Sequence, residues 1–184
     1  MIIAPLPDNE QQRIETLLRY AVLDTDSEPA FDDLVRLASQ ICCVPIALVS
    51  LVDARRQWFK AKVGIEVSET PRDIAFCSHT ILHTDIMVVP DATKDDRFAD
   101  NPLVTMNPNI RFYAGLPLIT RTGFALGTLC VIDREPRQLT PGQTDALSIL
   151  GRQAVSQLEL RLRTLELERS NAALEQAESE QKEL

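Results

Sequence analysis

Two stretches near the start of the chain carry apolar residues at helical spacing. The first follows a capping segment at residues 8–10, and its apolar residues are Ile14, Leu17, Leu18 and Ala21. The second starts at Glu28-Pro29 and keeps the same period as far as Pro45, which cannot lie inside a helix. This pattern predicts two amphipathic helices ahead of the first strand.

The chain then shows the pattern of two β-hairpins. Ile46–Val52 is apolar at nearly every position, as in a central strand covered on both faces, and residues 57–63 loosely alternate after a turn. Residues 111–119 and 124–133 flank a second tight turn. We therefore expect both hairpins to contribute strands to one antiparallel sheet.

The region between the hairpins, residues 65–111, has no sustained period. It contains a helix candidate at residues 74–83 and a short strand candidate at residues 86–89, and proline, aspartate and asparagine mark the rest as loop. Loops of this length inside a compact domain commonly carry function. We therefore expect a binding site in this region.

A final helix begins at Thr140-Pro141, where threonine can cap and proline suits the first helical position. The order of elements predicts an α+β fold with a central antiparallel sheet of five to six strands, helices packed on one side and a long C-terminal helix. Beyond Gly151 the chain has no proline, aromatic residue or further glycine. This change predicts a compact domain over residues 1–150 and a helical extension over residues 151–184.

Charge and hydropathy exclude several classes of partner. The 184 residues include 27 acidic against 19 basic side chains, a net charge of -8, which disfavours binding to nucleic acid or to anionic lipid. The longest apolar run is far shorter than the roughly 20 residues of a membrane-spanning helix, and the first residues do not resemble a secretory signal. We expect a cytoplasmic protein without membrane insertion.

The four cysteines form no C-x-x-C pair, which favours reduced thiols. If residues 74–83 are helical, Cys77 and His79 point in different directions and cannot both face one pocket. His79 and His83 have the spacing of zinc helices but lack an intervening glutamate and an obvious third ligand, so we predict no metal site. Cys77 is either an inert buried thiol or a reactive one, with Cys130 or Cys42 as its partner in a thiol-dependent reductase.

Aromatic rings and hydrogen-bond donors of the middle region suggest a pocket for a flat or anionic small molecule. The alternative is that Phe98 and Tyr113 only anchor the loops to the sheet. The ligand-pocket candidates are Cys77, His79, Arg97, Phe98, Arg111 and Tyr113.

The helical extension carries two stripes of apolar residues. Val155, Leu158, Leu162 and Leu165 take the a and d positions of a heptad. Leu160, Leu167 and Leu174 form a second seven-residue stripe. A helix from Pro141 to Leu184 is about 66 Å long, too long to pack wholly on its own domain. We therefore predict a homodimer through a coiled coil whose register can shift or whose heptad frame changes near Leu165 to Leu167. The alternative is an acidic helix that is solvated on all sides.

Many separate blocks of the sequence, in the same order, resemble the GAF domain of bacterial signal transduction. The resemblance covers residues 13–150, and its carriers are residues 23–25, 28–32, 57–61, 71–81, 89–92, 96–98, 111–118 and 127–133. Such domains lie upstream of histidine kinases of two-component systems and of diguanylate cyclases. The resemblance therefore implies a sensory module that is not itself an enzyme and that signals to an output domain absent from the chain.

The ligand implied by the resemblance stays unidentified. The Asn-Lys-x-(n)-Phe-x-x-x-Asp-Glu set of cyclic-nucleotide members is absent, and Cys77-Ser78-His79 differs from the Cys-His pair of bilin-binding members. The motifs therefore do not support a tetrapyrrole or haem cofactor. The favoured function is small-molecule sensing with transmission through the dimeric helix, and the alternatives are the Cys77 reductase and a ligand-free dimerisation scaffold.

Overall fold

Six antiparallel strands form a single sheet in the order β3-β2-β1-β6-β5-β4 in the computed structural model, which describes residues 1–182. The strands are β1 (Ile46–Val52), β2 (Arg56–Val63), β3 (Glu69–Pro71), β4 (Met87–Val89), β5 (Phe112–Ile119) and β6 (Ala125–Asp133). The helices are α1 (Glu10–Arg19), α2 (Pro29–Cys42), α3 (Phe76–Thr80), α4 (Pro102–Thr105) and α5 (Pro141–Lys182). Single 3-10 turns occupy Arg72–Ile74 and Ala92–Lys94. The predicted α+β fold is confirmed.

Strand β1 lies at the centre of the sheet because it can be buried on both faces. All seven of its residues are buried, and it pairs with β2 on one side and with β6 on the other. At Gly127 of β6, a Cβ atom would lie 1.8 Å from the backbone oxygen of Ser50. The close pairing of the two central strands therefore requires glycine at this position.

Each face of the sheet has its own apolar core. The strand residues that face α1, α2 and α5 form one cluster, exemplified by Val49 and Leu129. Their neighbours Leu48 and Cys130 face α3, α4 and the loops of the middle region in a second cluster. The predicted one-sided arrangement therefore applies to the three longer helices, and the two short helices cover the opposite face.

The middle region departs from the predicted boundaries in several places, among them α4, which lies in a predicted loop. The helix expected at residues 74–83 is reduced to α3, because Ala75 has an extended backbone (φ -76°, ψ 125°) that separates it from the 3-10 turn before it. All five residues of α3 are buried, so no solvent-facing side was available to reveal its length by periodicity. Strand β3 was missed because three edge residues ending in proline carry no alternation.

Helix α5 begins at Pro141 as predicted, capped by reciprocal hydrogen bonds between Thr140 and Gln143. Its first half packs against α2 and β5. The residues from 166 to 181 are all exposed, a projection of about 24 Å at 1.5 Å per residue. No helix within residues 1–182 has both the length and the apolar composition needed to span a bilayer.

The stripe predicted to form the dimer seam meets its own domain instead. Leu158 is 1% exposed within the core shared by α1, α2 and α5, and Val155 and Leu162 are half-buried against the same core. Leu165, the last member, is also half-buried. Leu158 is therefore unavailable to a partner helix. Packing on a domain and packing in a coiled coil need the same heptad-like spacing, which is why the sequence pattern did not separate them.

Candidate functional site

A cavity of about 500 Å³ lies between the sheet and the loops of the middle region. Strands β1, β2 and β6 supply its apolar floor through Ile46, Leu48, Phe59 and Ile132. The walls come from residues 64–67, which connect β2 to β3, and from residues between 103 and 110. Its size is within the range of sites that enclose small organic ligands.

Strand alternation selects the side chains that face the cavity. Successive residues of a strand point to opposite faces, so Leu48 and Ser50 share the cavity face while Val49 and Leu51 pack under α2. On the cavity face of the sheet, several side chains with a hydroxyl or thiol group therefore lie among aliphatic residues. These polar positions are Ser50, Thr128 and Cys130.

The polar end of the cavity centres on the thiol of Cys77. The hydroxyl of Thr128 donates a hydrogen bond to Cys77 Sγ over 3.0 Å, and the hydroxyl of Tyr113 donates to the same sulfur over 3.5 Å. Tyr113 is itself held by Thr80, whose Oγ1 lies 2.7 Å from the phenol oxygen. The sulfur of Cys130 lies 4.0 Å from Cys77 Sγ on the sheet side.

These contacts change the acidity of the two thiols in opposite directions. Burial by itself raises the pKa of Cys77, but the hydrogen bonds from Cys130 and from the neighbouring hydroxyls outweigh it and lower the pKa below that of an ordinary thiol. The hydrogen bond that Cys130 makes to Cys77, together with burial, raises the pKa of Cys130 well above the ordinary range of a thiol. Cys77 is therefore the member of the pair that favours the thiolate.

A second polar chain crosses the cavity beside β2. The hydroxyl of Ser50 donates to Gln57 Oε1 over 3.0 Å, and Gln57 Nε2 donates to Thr70 Oγ1 over 2.6 Å. Gln57 and Thr70 line the cavity. Because both amide atoms of Gln57 are engaged, its side chain is held in one orientation and links the edge strand β3 to the central strand.

Only two of the six predicted pocket residues line the cavity, and these are Cys77 and Tyr113. Phe98 lies behind its wall, where its ring stacks on Phe76 with centroids 3.9 Å apart. His79 contacts the edge of the Phe98 ring, and its Nε2 donates to the carbonyl oxygen of Ile2 over 3.0 Å. Burial lowers the pKa of His79.

The two predicted arginines hold loops rather than facing the cavity. Arg97 forms a two-contact ion pair with Asp95, at 2.7 and 2.9 Å. Arg111 donates to the carbonyl oxygens of Val104 and Ile110. The side chains that sequence reasoning missed are Phe59, Gln57, Thr70 and Ile132. Strand alternation around the predicted hairpins could have identified the first and last of these.

Within residues 1–182, no three His, Cys, Asp or Glu side chains come close enough together to hold a metal ion. His79 is occupied by the contact to Ile2, and His83 is exposed beyond the end of α3.

Two charged residues of α5, Glu159 and Arg161, add polar contacts to its apolar packing on the domain, and we call them the helix clamp. Tyr20 donates its hydroxyl to Glu159 Oε1 over 2.9 Å, and the backbone amide of Arg121 donates to the same atom over 3.1 Å. Burial and the neighbouring Glu159 carboxylate raise the pKa of Tyr20. The clamp therefore joins α5 both to the segment after α1 and to the turn between β5 and β6.

Arg161 completes the clamp with contacts to the segment between α1 and α2. Its guanidinium donates to the carbonyl oxygens of Tyr20 and Ala21 at 3.1 and 2.7 Å, and it forms an ion pair with Glu28 at 3.1 Å. These three partners lie in the segment that connects α1 to α2, and together they fix the plane of the guanidinium group. A single flexible ion pair would not do so.

Comparison with known proteins relates the chain to one domain family. The sequence pattern described as GAF domain matches residues 26–158. Over 137 residues the chain is 44% identical to a cyclic di-GMP phosphodiesterase of Pseudomonas aeruginosa, an alignment that covers 74% of this chain and 23% of that protein. The chain therefore spans less than a quarter of the length of this curated relative.

Solved structures share the fold at low sequence identity. The GAF domain of the Acinetobacter phosphoenolpyruvate-protein phosphotransferase superimposes with a TM-score of 0.60 at 16% identity, over 84% of this chain and 95% of that one. The blue-light absorbing form of the Thermosynechococcus elongatus PixJ GAF domain gives 0.60 at 16%, over 94% and 98%. The family pattern matches most of the chain, and the six-stranded sheet with its long terminal helix agrees with these structures. The chain belongs to the GAF domain family.

Proposed function

We propose that this domain senses a small molecule that binds in the 500 Å³ cavity and transmits its occupancy through α5 to an output domain. The observation that carries the proposal is the cavity itself, with apolar walls and a polar end built from residues of three strands and α3. A ligand there would contact α3 and the strand that leads towards α5. Binding then changes signalling to the extent that it favours one arrangement of these elements over another.

The lining favours a neutral ligand with a mainly apolar body and one hydrogen-bonding end. The buried or half-buried polar side chains of the lining are the uncharged Gln57, Thr70, Cys77 and Tyr113. The charged residues among the lining, Glu66 and Arg134, are exposed. The guanidinium groups of Arg97 and Arg111, which suggested an anionic ligand from the sequence, are engaged by other partners.

Dimerisation is proposed through the exposed stripe of α5. Ile149, Leu160, Leu167 and Leu174 are between 43% and 66% exposed, and at 100° per residue they lie within an arc of about 40°. This stripe points away from the side that buries Leu158. A second copy of the helix, aligned in parallel, would cover the stripe in a coiled coil and leave the core contacts of each domain intact.

The output that the domain regulates is proposed to be cyclic di-GMP hydrolysis. The support is the 44% identity to the Pseudomonas aeruginosa phosphodiesterase, most of which lies outside the matched region. This would replace the histidine kinase or diguanylate cyclase output expected from the sequence blocks. The domain would act as the regulator and a separate domain would carry the chemistry.

Native mass spectrometry of residues 1–184, purified from the expression host, tests the sensing proposal. A dimer that retains one discrete small mass per subunit, released on denaturation, would support it. A dimer of bare chains that also fails to bind neutral hydrophobic probes would favour the ligand-free scaffold instead. A monomer at micromolar concentration would refute the proposed coiled coil.

A further inference from the structure

Cys77 and Cys130 form a buried pair of thiols at the inner end of the cavity. Their sulfurs are 4.0 Å apart, the residues are 2% and 0% exposed, and they lie on different elements, α3 and β6. A disulfide has its sulfurs about 2.05 Å apart, so an approach of about 2 Å would join them. Both cysteines are free in this structure.

The surroundings of the two sulfurs are unequal in a way that suits sequential thiol chemistry. Cys77 faces the cavity, which gives small molecules a path to it, and two hydroxyl donors stabilise negative charge on its sulfur. Cys130 lies behind it within the sheet and is not part of the cavity lining. The sulfur of Cys77 is thus placed to react with a molecule in the cavity, and the sulfur of Cys130 is placed to react with the oxidised Cys77.

The other two cysteines cannot replace Cys130 in this arrangement. Cys42, the alternative partner expected from the sequence, belongs to the core under α2 on the opposite face of the sheet. Cys43 is exposed at the end of α2. The sheet itself separates both of them from Cys77.

We propose that Cys77 and Cys130 are a peroxide-reactive pair that forms a reversible intramolecular disulfide. The Cys77 thiolate attacks the terminal oxygen of a hydroperoxide, the O–O bond breaks, and the departing alkoxide takes up the proton that the Cys77 thiol released. The sulfur of Cys130 then attacks the resulting sulfenic sulfur, and the S–O bond breaks as hydroxide leaves with the Cys130 proton as water. In sum, two thiols are oxidised by two electrons, and one hydroperoxide is reduced to one alcohol and one water.

The disulfide would alter the cavity directly. It draws Cys77 towards β6 and with it Phe76, which lines the cavity and stacks on Phe98. It also removes the negative charge from the sulfur that accepts from Thr128 and so weakens this hydrogen bond. This inference does not rest on the ligand proposed above, because the disulfide forms or fails to form whether or not a ligand binds.

The test is oxidation of the folded, reduced full chain with tert-butyl hydroperoxide, followed by intact mass measurement before and after alkylation of the remaining free thiols in denaturant. We expect a loss of 2 Da, two alkylated thiols in place of four, and a non-reduced peptide map that links Cys77 to Cys130, all reversed by dithiothreitol. Cys77→Ser and Cys130→Ser should each abolish the link. The matched control, Cys42→Ser with Cys43→Ser, should retain it.

A variant without any loss of thiols keeps the test independent of folding defects in the serine variants. Thr128→Val removes one donor to Cys77 Sγ and should slow disulfide formation about fivefold at neutral pH. A denatured sample serves as the positive control, because the same peroxide treatment should oxidise its cysteines. If that control is oxidised but the folded chain still yields four alkylated thiols, the proposal is overturned. Irreversible addition of oxygen to Cys77 without a link to Cys130 would overturn it as well.

Discussion

The carboxylate of Glu28 lies between two cations, Lys60 and Arg161. Its Oε2 atom is 2.5 Å from the ammonium of Lys60, whose side chain is fully buried, and 3.1 Å from the guanidinium of Arg161 on α5. Lys60 also donates to Thr25 Oγ1 and to the carbonyl oxygen of Asp26, and its charge lies over the ring of Phe31. Glu28 therefore connects strand β2 to the long helix through one group.

Glu28→Gln should destabilise the domain by about 1–3 kcal/mol. The substitution leaves the buried ammonium of Lys60 without its carboxylate, and the cost is moderated because Glu28 is 41% exposed and water can approach. Urea unfolding measures the change. The matched control is Asp33→Asn, which removes the exposed ion pair with Arg36 and should change the unfolding free energy by less than about 0.5 kcal/mol. Equal effects of the two substitutions would contradict the central role of Glu28.

The two leucine stripes of α5 should respond differently to charge. Leu167→Glu places a carboxylate in the exposed stripe and should convert the dimer to a monomer without reducing the stability of the domain, as measured by light scattering and urea unfolding. Leu82→Glu, at an exposed leucine after α3 on the other face of the sheet, is the control and should leave the dimer intact. If Leu167→Glu remained dimeric, the exposed stripe would not be the seam.

Leu158→Asp should instead unfold the domain. The side chain is 1% exposed, so the substitution removes a core leucine and buries a charge, at a cost above about 3 kcal/mol. A stable folded monomer with aspartate at this position would show that Leu158 belongs to a dimer seam after all. Circular dichroism and gel filtration of the same sample distinguish the two results.

Acid should weaken the attachment of α1 to the sheet. Burial raises the pKa of Glu10, but hydrogen bonds from Arg13 and Arg72 outweigh it and lower the pKa from 4.5 to about 2. A carboxyl whose pKa is lowered by folding stabilises the folded state above its unfolded pKa, and this contribution is lost as the pH falls from 4.5 towards 2. The contribution lost by pH 3 is about 2 kcal/mol.

The measurement for Glu10 compares unfolding free energies at pH 6 and pH 3 in the native chain and in Glu10→Gln. Because other carboxylates titrate in both proteins, the difference in their pH dependence isolates Glu10. The variant should be less stable at pH 6 and should lose less stability on acidification. Parallel pH profiles would show that Glu10 does not carry the effect.

Access to the cavity should depend on its exposed rim. Nile red, a flat neutral dye, should bind with saturable fluorescence, and Val67→Trp should weaken its binding about tenfold because the larger ring crowds a lining position. Val88→Trp, at an exposed valine of β4 outside the cavity, is the matched control and should bind the dye as the native chain does. Identical binding by both variants would mean that the dye binds elsewhere.

Several features of this protein follow from the sequence alone because they depend on local periodicity. The unbroken apolar run of Ile46–Val52 required a strand covered on both faces, and β1 lies at the centre of the sheet. Thr140 and Pro141 marked the start of the long helix, and the blocks of residues identified the GAF fold. Local backbone preferences and one-dimensional patterns contain this information.

Only the tertiary structure decided which side chains meet. The period of α5 places its leucines in two stripes but does not say which stripe faces the domain, and α1, α2 and the sheet select the side that contains Leu158. In the aperiodic region, long-range packing placed Cys77 and Tyr113 in the cavity and left Arg97, Arg111 and His79 outside its lining. Loops have no repeating geometry from which side-chain direction follows, so their contacts depend on the elements that they cover.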